Sequence, residues 1–390
     1  MYITETIKYV GVNDHEILLF ERQYPVKNGM SYNSYVLLDE KITVMDTVDV
    51  HFTDKWLQNI KEICGGTSPA FLVVQHMEPD HSASICKFME QYPNAIIIAG
   101  AKAFIMLEQF YGTAYSDRRI TVKGGDTVCL GKHTLTFLDA PMVHWPEVIV
   151  TYENQTGTLF SADAFGKFGA LDVEDEWAPE ARRYYAGIVG KYGVQVMNLL
   201  NKAENLSIQR ICPLHGPVLQ ENLSFYTNLY KTWAGYHPES DGILIAYASM
   251  YGNTEKAVML LAKTLQESGG APYPEIMLRD LTQCDISEVI SDAFRFDTLV
   301  LASPTYNGGI FPKMREFIEH LAERNLQNRR IALIENGSWA PTAARTMKSM
   351  LEKMKSITFC EPVVTIHSAL SESSRKQLVE LAEAIRQNNS

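Results

Sequence analysis

The chain is 390 residues long, 46% apolar and 21% charged, with a formal net charge of −11. That length exceeds one ordinary core and suits two domains, while the acidic balance argues against nucleic acid or an anionic membrane surface as partner, since both call for a basic stripe. The longest apolar runs, such as AIIIAG, fall far short of a membrane span. The N-terminus has no basic segment leading into an apolar one, and six cysteines lie scattered without a CxxC pair, so a cytoplasmic protein with reduced thiols is expected.

The first half opens on hairpin signals. YVLLD (35–39) and ITVMD (42–46) flank a charged Glu-Lys turn, and VIVTYE (148–153) and TLFSAD (158–163) flank Asn-Gln-Thr-Gly. Helical segments interrupt them at 54–64, 84–92 and 180–203, which predicts paired sheets covered by helices, an α/β sandwich. TWAGYHPESDG (232–242) reads as a linker and divides the chain into 1–236 and 242–390. Beyond it, β-rich runs at 243–249, 274–281, 298–306, 330–337 and 360–368 alternate with stretches of helical period at 254–268, 311–324, 342–354 and 374–387. This alternation is the pattern of a doubly wound parallel sheet of five βα units.

The sharpest chemical signal is His76-Met77-Glu78-Pro79-Asp80-His81, a loop following the strand-like run FLVVQ. Later strand-like runs end in the same way: His144 after LTFLDAPMV, Asp163 after TLFSA and His215 after QRICPL. Four strand ends that each deliver an imidazole or carboxylate to one sheet edge provide the rigid ligand placement that a metal site needs. Four imidazoles and three carboxylates exceed one tetrahedral zinc and suit two metals sharing a bridging carboxylate. Two divalent ions with one hydroxide would balance the three negative charges. Mixed nitrogen and oxygen ligation without thiolate favours iron or manganese over structural zinc.

Strand, HxExDH loop, then His, Asp and His-Gly-Pro together resemble the metallo-β-lactamase fold in the variant found in flavodiiron proteins. Hydrolases of that fold normally carry His where Glu78 stands. The resemblance implies that His76, Glu78 and His144 hold one non-haem iron, Asp80, His81 and His215 the other, and that Asp163 bridges the two. Asp46 falls on a family position near the site and reads equally as a turn cap. Tyr192 is similar to an outer-sphere tyrosine of the family and reads first as packing; neither is assigned. The segment FERQYPVKNGMSYNSY (20–35) lacks the histidine that the family often places near its substrate pocket.

In the second half, Ser249-Met250-Tyr251-Gly252-Asn253-Thr254 joins the first strand to a helix. Hydroxyls, a glycine and the unpaired amides of a helix N-terminus bind phosphate without any Lys or Arg. Neither GxGxxG nor GxxxxGK[ST] is present, so a mononucleotide suits better than a dinucleotide or a triphosphate, and FMN fits best. The third strand ends in Pro304-Thr305-Tyr306-Asn307-Gly308 and the fourth in Gly337-Ser338-Trp339, which put aromatic rings and close backbone amides against an isoalloxazine, with Trp339 as the stacking residue. These turns resemble a flavodoxin, with strand order 2-1-3-4-5. The two resemblances cover nearly the whole chain and imply the minimal flavodiiron class, without a rubredoxin extension. They further imply reduction of dioxygen or nitric oxide, a rubredoxin or similar small carrier as electron donor, and a head-to-tail homodimer, alone or paired into a dimer of dimers. The alternative reading is a zinc hydrolase of the same N-terminal fold with the flavodoxin as an accessory module.

Overall fold

The computed structural model describes residues 3–267 and 275–387. Ser268 and Pro274, read above as the end of a helix and the start of a strand, lie outside the described residues. The chain divides into two compact units, residues 1–185 with 192–231 and residues 186–191 with 232–390.

The first unit is a sandwich of two sheets. One has six strands in the order Ile7–Tyr9, Tyr35–Leu37, Thr43–Met45, Phe71–Val74, Ile96–Gly100, Arg119–Val122; its first three are antiparallel and the rest parallel. The other has five, Thr127–Cys129, Thr134–Asp139, Ile149–Glu153, Thr158–Phe160 and Arg210–Cys212, with only the last pair parallel. Alternation along the strands sends Met45, Val73 and Ile98 from one sheet and Phe137, Ile149 and Phe160 from the other into a single shared core. Helices close the sandwich from outside. Thr53–Cys64 buries Trp56, Ile60 and Cys64 at four-residue spacing and stops at Gly65, whose φ of 58° is the left-handed conformation of a helix C-cap.

The second unit is a five-stranded parallel sheet, Ile276–Asp280, Ser240–Tyr247, Phe296–Tyr306, Arg329–Asn336, Ile357–Ile366, in the predicted order 2-1-3-4-5. The near-continuous burial of its central strands reflects helices on both faces.

Two readings need correction. Residues 232–242 are no linker: helix Leu223–Ala234 runs into them, strand Ser240–Tyr247 starts within them and Trp233 is fully buried. A Gly-Pro-Ser composition resembled a spacer, but the aromatic anchors decide. Trp233 Nε1 donates to Glu239, and the Tyr236 hydroxyl donates to the Gly190 carbonyl at 2.9 Å. The segment 180–203 is likewise not one helix. Helix Trp177–Tyr184 widens into a π-turn at Tyr185–Val189, tightens at Gly190–Tyr192 and restarts at Gly193–Ala203, breaking where Gly187, Gly190 and Gly193 weaken the helical backbone. Helices Ala101–Tyr111 and Ile286–Arg295 come in addition to those read from the sequence; the second is capped by the Asp285 carboxylate, which accepts from Ser287 N.

Ile245, fully buried in strand Ser240–Tyr247, sets the stability of the second unit. Ile245→Ala should cost about 2–5 kcal/mol. Hydrogen exchange should show protection lost from the parallel sheet alone; unchanged protection there would contradict this packing.

Candidate metal centre and flavin cleft

All seven predicted ligands converge at one edge of the sandwich, in two groups: His76, Glu78, His144 and Asp163, and Asp80, His81 and His215. The loop after strand Phe71–Val74 serves both. Glu78 is extended (φ −59°, ψ 138°), so His76 and Glu78, two residues apart, point the same way. Pro79 then starts the one-turn helix Pro79–Ser82, which swings Asp80 and His81 to the second group.

Asp163 joins the groups. Its Oδ2 lies 3.1 Å from His76 Nε2 and 3.3 Å from His144 Nε2, and its Oδ1 lies 3.6 Å from His81 Nε2 and 3.7 Å from His215 Nε2. Glu78 Oε2 sits 3.3 Å from His76 Nε2 and 3.0 Å from His144 Nε2, while Asp80 Oδ2 sits 3.3 Å from both His81 Nε2 and His215 Nε2. The Nε2 atoms of His81 and His215 face each other at 2.9 Å.

Electrostatics show what such a cluster demands. Burial opposes charge on these imidazoles, yet the Asp163 carboxylate, with Glu147 and Glu78, holds His76 well above the usual imidazole range; the Asp163 and Glu78 carboxylates beside His144 hold it at about 9. Asp80 likewise raises His215, and the surrounding imidazoles drive Asp163 far down despite its burial. His81 goes the other way, to about 4, because burial outweighs Asp80 and the neighbouring His215 adds to the effect. The carboxylates thus call for positive charge at the points where the imidazole nitrogens converge. Both oxygens of Asp80 and of Asp163 are buried without a hydrogen bond of proper geometry. Orphaned carboxylate oxygens converging with imidazole nitrogens on two points, with no thiolate among them, are the donor set of two hard or borderline cations.

An outer layer orients these ligands. Glu147 Oε1 accepts from His76 Nδ1 at 2.8 Å and from Met77 N at 2.9 Å, which leaves His76 Nε2 for the metal. The Ser31 carbonyl accepts from His215 Nδ1, and Ser31 Oγ accepts from Gly216 N, both at 2.7 Å. Asp46, φ 53°, is buried and accepts from Gln75 N and Gln75 Nε2 at 2.7 and 2.8 Å, pinning the residue before His76; burial pushes its carboxyl up to about 7. Tyr192 is half-buried and does not line the cleft over the cluster.

That cleft, about 800 Å3, opens over Glu78 and Asp80 between Phe20, Tyr32 and Phe52. Its rim includes Glu21 and Arg22, the first two of the three residues joining strands Leu19–Phe20 and Tyr24–Pro25 and the centre of the turn closed by Gln23 N donating to the Phe20 carbonyl, with φ of 48° and 60°. Such turns favour Asn-Gly, so a Glu-Arg pair there is locally disfavoured. Burial and the Glu78 charge push the Glu21 carboxyl up to about 7. Sequence reading missed Glu147 and Glu21: Glu147 follows no strand-like run, Glu21 follows ILLF (17–20) but stands alone there, and each meets its histidine or carboxylate partner only in three dimensions.

In the second unit, a cleft of about 560 Å3 is lined by Ser249, Met250, Tyr251, Asn253 and Thr254 from the first loop, Pro304 to Gly308 from the second, and Gly337, Ser338 and Trp339 from the third. Gly252 is not on its wall. It makes the turn instead, with φ 80°, its N–H donating to Ser249 Oγ at 3.1 Å. Asn336 and Ala340, which flank the Gly337–Trp339 turn, also line the cleft, and so do Thr342 and Ser368, which were not foreseen. Helix Asn253–Glu267 starts at its floor, and Trp339 and Tyr251, 92% and 89% exposed, stand at its mouth. Anion-binding amides below exposed aromatic rings suit a flavin mononucleotide.

A β-lactamase-type metal unit joined to a flavodoxin defines the class. The family model described as ODP family beta lactamase matches residues 30–216, and a flavodoxin domain model matches 244–364. The chain is 30% identical over 375 residues to the nitric oxide reductase of Moorella thermoacetica, covering 93% of this chain and 92% of that protein. It is 27% identical to the anaerobic nitric oxide reductase flavorubredoxin of Escherichia coli, over 90% of this chain and 74% of that one. The rubredoxin oxygen:oxidoreductase of Desulfovibrio gigas superposes with a TM-score of 0.91 at 25% identity, over 100% of this chain and 98% of that one. The chain belongs to the flavodiiron family. It is an oxidoreductase whose cofactors are FMN and a non-haem di-iron centre.

Glu147→Ala would leave His76 Nδ1 and Met77 N buried without an acceptor. It should weaken metal retention against a chelator by about 10–100-fold; retention equal to the parent protein would show that Glu147 does not orient the ligand.

Proposed function

We propose that the chain reduces dioxygen to water, or two nitric oxide molecules to nitrous oxide and water, with electrons entering through FMN from a rubredoxin-like carrier. The observation that carries this is Asp163, which presents one oxygen to each ligand group. In this reading His76, Glu78 and His144 would hold one iron, Asp80, His81 and His215 would hold the other, and Asp163 would be shared between them. When bound, the two irons and the FMN together store four electrons, the number that dioxygen reduction to water takes.

The chain's own residues do the rest. Glu147, Ser31 and Asp46 keep the ligand loops in one geometry, so that no reorganisation is needed at the moment of reaction. Phe20, Tyr32 and Phe52 wall the cleft against bulk water. In the flavin half, Ser249 to Thr254 would hold the phosphate, and Tyr306 and Trp339 the ring, within Pro304–Gly308 and Gly337–Trp339. Leu18 and Leu19, 81% and 43% exposed at the metal cleft, and Trp339 and Tyr251 at the flavin cleft support a head-to-tail dimer in which one chain's flavin faces its partner's metals. Residues 1–236 would act as the metal half and 242–390 as the flavin half. All six cysteines are unpaired, and among the described residues no helix is long and apolar enough to cross a membrane, which supports a cytoplasmic location.

Asp163→Ala removes the shared carboxylate without touching the flavodoxin unit. Turnover of either gas should be abolished while FMN content stays at the parent level; retained turnover would refute Asp163 as the bridge.

A further inference from the structure

A second recess, of about 190 Å3, lies against the turn that carries Asp163, and it shares no lining residue with the cleft over Glu78 and Asp80. Ile149 and Phe160 face the core between the two sheets, so alternation turns Val150, Leu159 and Ile211 to the outer face of the five-stranded sheet, where helix Gly193–Ala203 covers them with Leu199 and Leu200. The end wall is Ser161 and Phe165, each two residues from Asp163. This turn is held firmly. Ala162 and Phe165 have φ of 50° and 67°, Ser161 Oγ donates to the Ala164 carbonyl at 2.7 Å, Phe165 N donates to the Tyr230 hydroxyl, and the Phe165 and Tyr230 rings stack at 4.1 Å.

The polar side chains of the lining are already engaged. Besides Ser161, Thr227 Oγ1 donates to the Leu223 carbonyl at 3.1 Å, while Lys231 and Glu204, paired at 3.7 Å and exposed to solvent, form the rim where the recess opens. A buried water wants two to four polar partners, and a charged or strongly polar ligand would lose its hydration without replacement. An apolar hollow of this size takes small neutral molecules; an engineered one of about 150 Å3 takes xenon or benzene. The substrates of the reaction proposed above are the small neutral molecules at hand.

We propose that this recess is a holding site for a neutral diatomic gas, from which dioxygen or nitric oxide reaches the metals past the Asp163 turn. The inference rests on the reductase reading for the identity of the gas, but the site itself is tested apart from turnover. Crystals of the loaded protein pressurised with xenon should show it among Leu199, Ile211 and Phe165. Ala203→Phe, on the half-buried wall of the recess, should exclude xenon and raise KM for the gas several-fold, with kcat at saturating gas and the iron and FMN content unchanged; Ala203→Ser, which keeps the hollow, should leave KM unaltered. An empty recess under xenon, or an unchanged KM in loaded Ala203→Phe protein, would overturn the proposal. Loss of the reductase reading would show as absent turnover in the parent protein, whatever xenon does.

Discussion

The structure depends on keeping Asp163 ionised where water cannot reach it. Its side chain is 1% exposed, and the Glu78 and Asp80 carboxylates, 16% and 12% exposed, belong to the same cluster. Two like charges about 4 Å apart repel by about 4 kcal/mol at the effective dielectric of a protein surface, and by more inside. Three such groups therefore need cations. Four imidazoles offer lone pairs toward those cations, and the carboxylates raise the proton affinity of His76, His144 and His215, so protons and metals compete for the same nitrogens.

That requirement explains features that would otherwise be costs. Asp46, Ala162 and Phe165 take up left-handed backbone at or beside strand ends that border the cluster, each disfavoured for a residue with a side chain. The sandwich compensates with buried hydrogen bonds between distant segments. Asn33 Nδ2 donates to the Pro213 and Gly216 carbonyls around His215, Thr47 binds the His81 carbonyl twice, and Ile149 N donates to the Gln75 carbonyl, tying one sheet's ligand loop to the other sheet. The flavodoxin unit solves a different problem by simpler means, since a helix N-terminus and small residues suffice to cradle a phosphate.

Much of this was legible in the sequence. The alternation of strands and helices predicts a doubly wound parallel sheet because parallel strands buried on both faces are apolar throughout and punctuated by turn residues, while the order 2-1-3-4-5 comes with the resemblance to a flavodoxin. The candidate ligands stand out because His144, Asp163, His215 and the loop His76–His81 each follow an apolar run, where a strand end projects side chains from a rigid base. What stayed hidden acts through space rather than through spacing. Glu147 lies 71 residues from His76, Glu21 reaches Glu78 only because a hairpin folds over the cleft, and Ser368 joins the flavin cleft from the fifth strand. The linker and the long helix were misread because glycine and proline content resembles a spacer, and helical period resembles continuity, until buried aromatics and a π-turn decide otherwise.

The most direct test of the account is the metal and flavin content of anaerobically purified protein, by elemental analysis beside the flavin spectrum. The account predicts about two irons and one FMN per chain. Zinc in place of iron, with flavin present, would contradict it, because the carboxylate cluster would then serve Lewis-acid hydrolysis rather than electron transfer.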